Sequence, residues 1–328
     1  LGWSRSMIPE NTDNSVPARK LERQLYGLIL VALVLLALFF ALSRSVGLLG
    51  EFELPKQVDA RYFFGAIACQ LVFLAVAGRA WQQAISIYSD VKLPLLQSVG
   101  QISLVLIGKY IPGKVWGFII RGKDLTNRGV SGHQMLMSNY AEQLVSIHAG
   151  LVFGGCGWLL STEPDYWEVI FPLLLFSVFL APVLNNRFAL YVVRLLKLVF
   201  KNAHVQDCKI PYSAYLRLFF LYLLEWVFIG AILLCLYLMV FEGGAHTSAV
   251  LYIPSMNSLA FIVGFFAFFS PAGLGVRDGV LVALLNPVTG LTEAVYIAVL
   301  FRFWLVIVEA LVGLCAVNML ITGTRSSQ

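Results

Sequence analysis

Long apolar runs alternate with short polar stretches along most of the chain. Six runs approach or exceed the roughly 20 residues that an α-helix needs to cross a bilayer. They lie at 25–46, 62–80, 135–160, 168–186, 214–240 and 296–320. We therefore predict a transmembrane helix in each of them.

Two further apolar runs, 94–121 and 256–287, are each interrupted in the middle. The first is broken at IPGKVWG (111–117) and the second at SPAGLGV (270–276), so that both place Pro-Gly or Pro-Ala-Gly at the break. Each half is roughly 12–15 residues long, which is typical of a re-entrant segment rather than of a span. The pattern predicts two re-entrant hairpins.

Lys and Arg are distributed unequally between the polar stretches. With a cytoplasmic N-terminus, the inner stretches 1–24, 79–93, 121–134, 186–212 and 321–328 carry 15 basic residues and the outer stretches carry 3. Positive charge marks the cytoplasmic side. Both termini are therefore predicted to be cytoplasmic. Within 186–212, four cations fall on one helical face, which favours a helix lying on the membrane surface.

The order of segments is the same in two halves of the chain, 25–160 and 161–320. Each half reads span, span, hairpin, span, and the charge distribution gives the second half the opposite orientation. An inverted repeat of this kind is a common architecture of secondary transporters. The predicted fold is thus an all-α polytopic membrane protein with six full spans and two opposed hairpins, eight membrane segments in all.

Composition agrees with this fold and excludes several functions. The chain is 59% apolar and 12% charged, with a mean hydropathy of +0.82, whereas soluble domains carry about 25% charged residues. The five cysteines are scattered and no zinc spacing occurs. The first 24 residues are polar, so no cleavable signal peptide is expected. We expect no metal, no cofactor, no ATP-driven step, no enzymatic activity and no nucleic-acid partner.

Several charged residues fall inside predicted spans. An ionisable side chain at membrane depth costs roughly 2.5–3.5 kcal/mol on insertion scales, so such residues are candidates for function. Glu142 lies on a polar stripe with Asn139, Gln143 and Ser146. The other candidates of this kind are Glu225, Arg302 and Glu309. The alternative is that these charges pair with one another and only hold the bundle together.

The two hairpin tips carry a further signal. A half-helix that begins after a Pro-Gly turn exposes free N–H groups, which suit an anion such as phosphate. Basic residues add full positive charges at both tips. The candidate phosphate-binding residues are Lys109, Pro112, Gly113, Lys114 and Arg121 at the first tip, and Pro271, Gly273, Gly275 and Arg277 at the second, with Asp278 expected to pair with Arg277. The alternative is a simple helix break with cations reaching the interface.

These motifs also resemble a known family. KYIPGKVWG (109–117), RGV (128–130), a span containing Glu142, and SPAGLGVRDG (270–279) are similar to the flippase-like membrane region of the lysylphosphatidylglycerol synthase family. The resemblance covers about 25–320 and implies lipid translocation. It carries over to Lys109, Pro112, Gly113, Lys114, Glu142, Pro271, Gly273, Gly275 and Arg277. Since the chain ends at 328, we expect it to lack the family's soluble aminoacyltransferase domain and its synthetic activity.

The resulting functional hypothesis is a lipid translocase in the cytoplasmic membrane of a prokaryote. It would move a phosphate-bearing lipid, either a phospholipid or a polyprenyl-phosphate-linked one, between leaflets. Lys109, Lys114, Arg277 and Arg302 would hold the phosphate, while Glu142, Glu225 and Glu309 would balance charge, receive a cationic headgroup or carry a proton. An anion channel or exchanger, a membrane lipid-headgroup transferase and a scaffold stay open as alternatives. So do a homo-oligomer and a separate lipid-modifying enzyme as partner.

Overall fold

The computed structural model describes residues 58–110, 116–162, 168, 170–178, 180–181, 185, 209–241, 247–267 and 275–323. In this part of the chain the secondary structure is entirely helical. The helices are α1 (Ala60–Ser86), α2 (Leu95–Gly108), α3 (Trp116–Asn127), α4 (Gly132–Thr162), α5 (Tyr212–Val240), α6 (Thr247–Phe266), α7 (Val276–Thr289) and α8 (Leu291–Gly323). Residues 170–178 are helical as well.

Five of the described helices are long and apolar enough to cross a membrane. The crossing stretches are Ala60–Ser86, Gly132–Leu160, Tyr212–Val240, Ala249–Phe266 and Leu291–Ala316. Four of them coincide with predicted spans, so the prediction of an all-α, multi-pass membrane protein is confirmed. Part of the predicted span 168–186 is helical, at 170–178. The span 25–46, most of the surface helix at 186–212 and both chain ends lie outside the described residues.

The first interrupted run folds as two short helices, as predicted. Helix α2 ends at Gly108 and α3 begins at Trp116. The two helices touch backbone to backbone, because a Cβ added to Gly117 would lie 2.5 Å from Val105 Cα and 2.6 Å from the Leu104 carbonyl oxygen. Glycine thus lets the arms pack against each other. The tip itself, with Pro112, Gly113 and Lys114, lies outside the described residues.

The second interrupted run differs from its prediction in the length of its first arm. Helix α6 starts at Thr247, nine residues before the predicted boundary, and its apolar stretch is long enough to cross. Pro254, a residue type that disfavours helix interiors, lies inside α6. Its backbone packs against Gly230 of α5, where a Cβ would lie 2.6 Å from the Pro254 carbonyl oxygen. The tertiary contact therefore compensates for a residue that disfavours helix interiors.

The second pair of arms also meets at a glycine. A Cβ on Gly264 of α6 would lie 2.6 Å from Arg277 Cβ on α7. Helix α7 begins after Gly275, whose φ of 80° is a conformation that favours glycine. Pro271 and Gly273 lie outside the described residues.

The helices of the two halves pack in a reciprocal pattern. Helix α1 packs along α5, the corresponding first described helix of the second half. The arm α2 packs on α1 and on α8, while α6 packs on α5 and on α4. Each first arm thus lies between the long helix that precedes it and the closing helix of the opposite half. This arrangement places both first arms, α2 and α6, against long helices of both halves.

Replacing Gly117 with Ala should destabilise the protein, because the new methyl group would overlap backbone atoms of α2 that cannot move independently. Overpacking of this kind costs about 1–3 kcal/mol. The measurement is thermal unfolding of the purified protein in detergent, where we expect a lower Tm. Gly132→Ala is the matched control, since nothing lies within 4 Å of a Cβ at Gly132. An unchanged Tm for Gly117→Ala would contradict the close contact of α2 with α3.

Candidate functional site

Five charged side chains from three segments meet in the interior of the bundle. Lys109 directly follows α2, Arg277 and Asp278 lie in the first turn of α7, and Arg302 and Glu309 lie on α8. Arg277 and Arg302 interact electrostatically with each other, and each of the other three residues interacts with both of them. We call this group, Lys109, Arg277, Asp278, Arg302 and Glu309, the cationic cluster. It combines residues that the sequence assigned to different halves.

Lys109 and Glu309 form one of the ion pairs in the cationic cluster. The Lys109 Nζ donates to Glu309 Oε1 at 2.6 Å, and the two side chains are 18% and 6% exposed. The residues are 200 positions apart in sequence. Packing of α2 against α8 brings them together, so the pair connects the first interrupted run to α8.

Asp278 pairs with Arg302 and not with Arg277, which corrects the sequence-based expectation. Arg302 donates to Asp278 Oδ2 from Nη2 at 2.8 Å and from Nε at 3.3 Å. The same oxygen accepts a hydrogen bond from the Gly275 backbone N–H at 3.3 Å. Neighbouring residues on a helix point about 100° apart. Asp278 consequently faces α8, while Arg277 faces α6.

Arg277 is the least well compensated charge of the cluster. Its side chain is buried between the rings of Phe261 and Phe301, 4.6 and 5.4 Å from the guanidinium carbon. Its Nη2 donates one long hydrogen bond, 3.3 Å, to Asn257 Oδ1. Within the described residues, Arg277 Nε and Asn257 Nδ2 are buried donors without an acceptor. Two adjacent unsatisfied donors, one of them charged, are suited to bind an anion.

The charge balance of the cationic cluster supports the same conclusion. Three cations face two carboxylates, and the three positive charges are close enough to repel one another. An uncompensated charge in a low-dielectric interior is expensive unless a counter-ion neutralises it. Among the described residues no further carboxylate takes this role for Arg277. Among the described residues, one positive charge of the cationic cluster is therefore left without a carboxylate of its own.

A second polar group surrounds Arg121 on α3. Arg121 is fully buried, and its Nη2 and Nη1 donate to the two Glu142 carboxylate oxygens at 2.6 and 3.2 Å. Nη2 also contacts Asn139 Oδ1. The guanidinium lies flat on Trp81, 3.7 Å from the ring centre. The sequence placed Arg121 at the edge of an inner loop, but the fold buries it in an ion pair with Glu142.

Trp81 is itself held by a chain of hydrogen bonds. Its Nε1 donates to Gln101 Oε1 at 2.6 Å, and Gln101 Nε2 donates to Asp124 Oδ2 at 2.6 Å. Sequence reasoning missed these three residues. Gln101 could have been noticed in the sequence, because it is an amide side chain within a half-length apolar run. The structure buries the Gln101 side chain almost completely. Sequence reasoning also missed Asn257 in α6, which accepts a hydrogen bond from Arg277 of the cationic cluster.

Glu225 lies apart from the cationic cluster. It is half-buried on α5, and the charge that acts on it is that of Glu142. The structure thus divides the predicted site into two groups: Lys109, Arg277, Asp278, Arg302 and Glu309 in one, and Arg121, Glu142 and Glu225 in the other. In the part of the chain that is described, no three His, Cys, Asp or Glu side chains are placed to hold a metal ion.

Corresponding ion pairs fix the second arm of each interrupted run. Arg121 of α3 pairs with Glu142 of α4, the helix that follows it. Asp278 of α7 pairs with Arg302 of α8, again the following helix. In the first half the cation lies on the arm and the carboxylate on the closing helix, whereas in the second half the two are exchanged. Both pairs therefore join a second arm to the helix that follows it, with the positions of the two charges reversed.

Replacing Glu142 with Gln should strongly destabilise the protein, because Arg121 would stay buried without a counter-charge. Removing one partner of a buried pair costs about 3–5 kcal/mol. Thermal unfolding in detergent is the measurement. The double variant Arg121→Gln/Glu142→Gln should be more stable than Glu142→Gln alone, since it removes the isolated charge. A double variant no more stable than the single one would contradict a charge-driven effect. Exposed Glu168→Gln is the control.

The chain was compared with known proteins. Comparison with curated proteins finds no match. The family model of the lysylphosphatidylglycerol synthase TM region matches residues 24–313. The match contains both interrupted runs and both polar groups, and it confirms the resemblance that the motifs indicated. Because it covers most of the 328 residues, the chain belongs to the lysylphosphatidylglycerol synthase TM region family.

Proposed function

We propose that the protein moves a phosphate-bearing lipid between the leaflets of the cytoplasmic membrane. Membership of the family supports a lipid-related role in a membrane. The observation that carries the proposal is the buried excess of positive charge in the cationic cluster, with unsatisfied donors on Arg277 and Asn257. A lipid phosphate would supply the missing negative charge and the missing acceptors.

The surroundings of Arg277 favour a phosphate that is attached to an apolar molecule. Phe261 and Phe301 enclose the guanidinium, so an anion there would be shielded from water on the side of the rings. Lys109 and Arg302 already have carboxylate partners and would add long-range attraction. In this proposal Arg277 and Asn257 bind the phosphate oxygens directly, and the two ion pairs hold them in position.

The reciprocal packing of the helices supports a transport mechanism with two accessible sides. Each first arm lies against the closing helix of the opposite half, as an inverted repeat requires. We propose that the two interrupted runs enter from opposite sides and that the phosphate passes between their tips. Movement of one pair of arms against its closing helix would open one side at a time. The proposal assigns no chemical step to the chain.

Replacing Arg277 with Gln should reduce lipid translocation about tenfold or more, because a charge-assisted hydrogen bond is worth roughly 1.5–3 kcal/mol. The assay uses proteoliposomes containing acyl-labelled phosphatidylglycerol, phosphatidylethanolamine or a polyprenyl phosphate. Lipid movement is measured as the fraction of labelled lipid whose label is quenched by a membrane-impermeant reductant, because the reductant reaches only the outer leaflet. Arg217→Gln is the matched control, since Arg217 is exposed and, among the described residues, its side chain donates only to the Ser213 carbonyl oxygen within its own helix.

Two outcomes would contradict the proposal. If Arg277→Gln translocates lipid as fast as the unmodified protein, the phosphate does not bind at the cationic cluster. If folded protein moves none of these lipids but the same vesicles pass chloride, the cluster is the anion site of a channel or exchanger. Monodisperse protein after reconstitution is required before either result is interpreted.

A further inference from the structure

Glu225 is the intramembrane carboxylate that the phosphate site leaves unexplained. It lies near the middle of α5, a helix of 29 residues that is long enough to cross the membrane. It is half-buried, and it forms no hydrogen bond or ion pair with any residue that the structure describes. Other described carboxylates at this depth, Glu142 and Glu309, each have a cation within 2.6 Å.

Among the residues that the structure describes, the neighbours of Glu225 give it no cation of its own. Glu142 of α4 acts on it with a like charge, and that charge is already matched by Arg121 of α3. Helix α6 contains no Asp, Glu, Lys or Arg. The charged residues of α1 have other partners, since Arg61 pairs with Asp59 and Arg79 bonds to Gln82. On α8, Glu293 accepts a hydrogen bond from Tyr237, and Arg302 and Glu309 belong to the cationic cluster.

Two buried polar atoms are unsatisfied on residues that interact with Glu142, one on Tyr222 and one on Arg121. Tyr222 is 3% exposed, and it interacts electrostatically with Glu142, Glu225 and Arg121. Its hydroxyl has no hydrogen-bond partner among the described residues, and neither does Arg121 Nε. Buried polar groups are normally satisfied by protein or by ordered water. These atoms indicate a small polar site that connects Glu225 with the Arg121–Glu142 pair.

We infer that Glu225 is a proton-binding site and that binding and release of its proton are coupled to movement of the first pair of arms. A second negative charge beside Glu142, with no cation added, is unfavourable in a membrane interior, so the carboxyl group holds a proton while Arg121 is committed to Glu142. When the proton leaves, the negative charge on Glu225 acts on Glu142, the partner of Arg121. Tyr222 interacts electrostatically with both carboxylates.

The consequence concerns the contact between α3 and α4. The Arg121–Glu142 pair ties the second arm to the closing helix of the first half. Repulsion between ionised Glu225 and Glu142 disfavours the position of Glu142 against Arg121, and protonation of Glu225 removes this repulsion. A proton taken up on one side of the membrane and released on the other would thereby bias which side opens. The coupling to lipid rests on the proposed function, whereas the proton site itself does not.

The proton site is tested without transport. Infrared difference spectra of the purified protein in lipid, recorded while pH is changed, report the carbonyl stretch of a protonated carboxylic acid. We expect such a band in the unmodified protein, its loss in Glu225→Gln, and its retention in the control Glu168→Gln, which changes an exposed carboxylate. Glu225→Asp keeps a titratable group and should retain a shifted band. A spectrum of Glu225→Gln identical to that of the unmodified protein overturns the inference.

Coupling is tested in proteoliposomes with a pH gradient of either direction. We expect the initial rate of lipid movement in the unmodified protein to differ several-fold between the two directions. The ratio of the two initial rates should be one in Glu225→Gln, whatever the absolute rate of that variant. The difference between the two directions should return at least in part in Glu225→Asp. A ratio of one in the unmodified protein overturns the coupling and leaves lipid transport intact. A Glu225 band without lipid movement overturns the proposed function and leaves the proton site intact.

Discussion

The structure depends on the cost of placing charge in an apolar interior. Buried Arg121 has Glu142 and the face of Trp81, and Lys109 has Glu309. Each of these contacts also joins a short helix to a long one. The ion pairs thus have a structural role, because the same pairing that makes a charge tolerable fixes the position of an interrupted run. Arg277 lacks a carboxylate of its own among the described residues, and it is the residue at which we propose that a phosphate binds.

Glycine complements the ion pairs. Short helices bury little apolar surface, and helix association within a membrane relies on close packing rather than on the hydrophobic effect. Gly117 and Gly264 let the backbones of each pair of arms touch, and Gly230 accommodates Pro254. The arms are therefore held on one side by backbone contact and on the other by an ion pair with a closing helix. Because the backbone contact and the ion pair are separate, an ion pair with a closing helix can change while the packing of the two arms stays intact.

Particular elements show how far the sequence could be interpreted. The long spans were predictable because about 20 apolar residues have few alternatives to a transmembrane helix. The breaks near Pro112 and after Phe266 were predictable from Pro and Gly. The start of α6 was not, because Pro254 is compatible with a helix only where Gly230 packs against it. The candidate charges were also found from the sequence, since any ionisable residue in a span is conspicuous. Their partners were not, and Asp278 was assigned to its neighbour Arg277 instead of to Arg302.

The sequence alone determined most of the membrane helices that the structure describes, the family and the set of charges that must be neutralised. Hydropathy and local turn chemistry are properties of short stretches, and they act before any tertiary contact forms. Only the tertiary structure decided which charges meet, because Lys109 and Glu309 are 200 residues apart and are joined by packing of α2 against α8. It also separated Glu142 and Glu225 from the cationic cluster. Partner choice inside a membrane is a property of the packed bundle, since each charge pairs with whatever the packing brings within hydrogen-bonding distance.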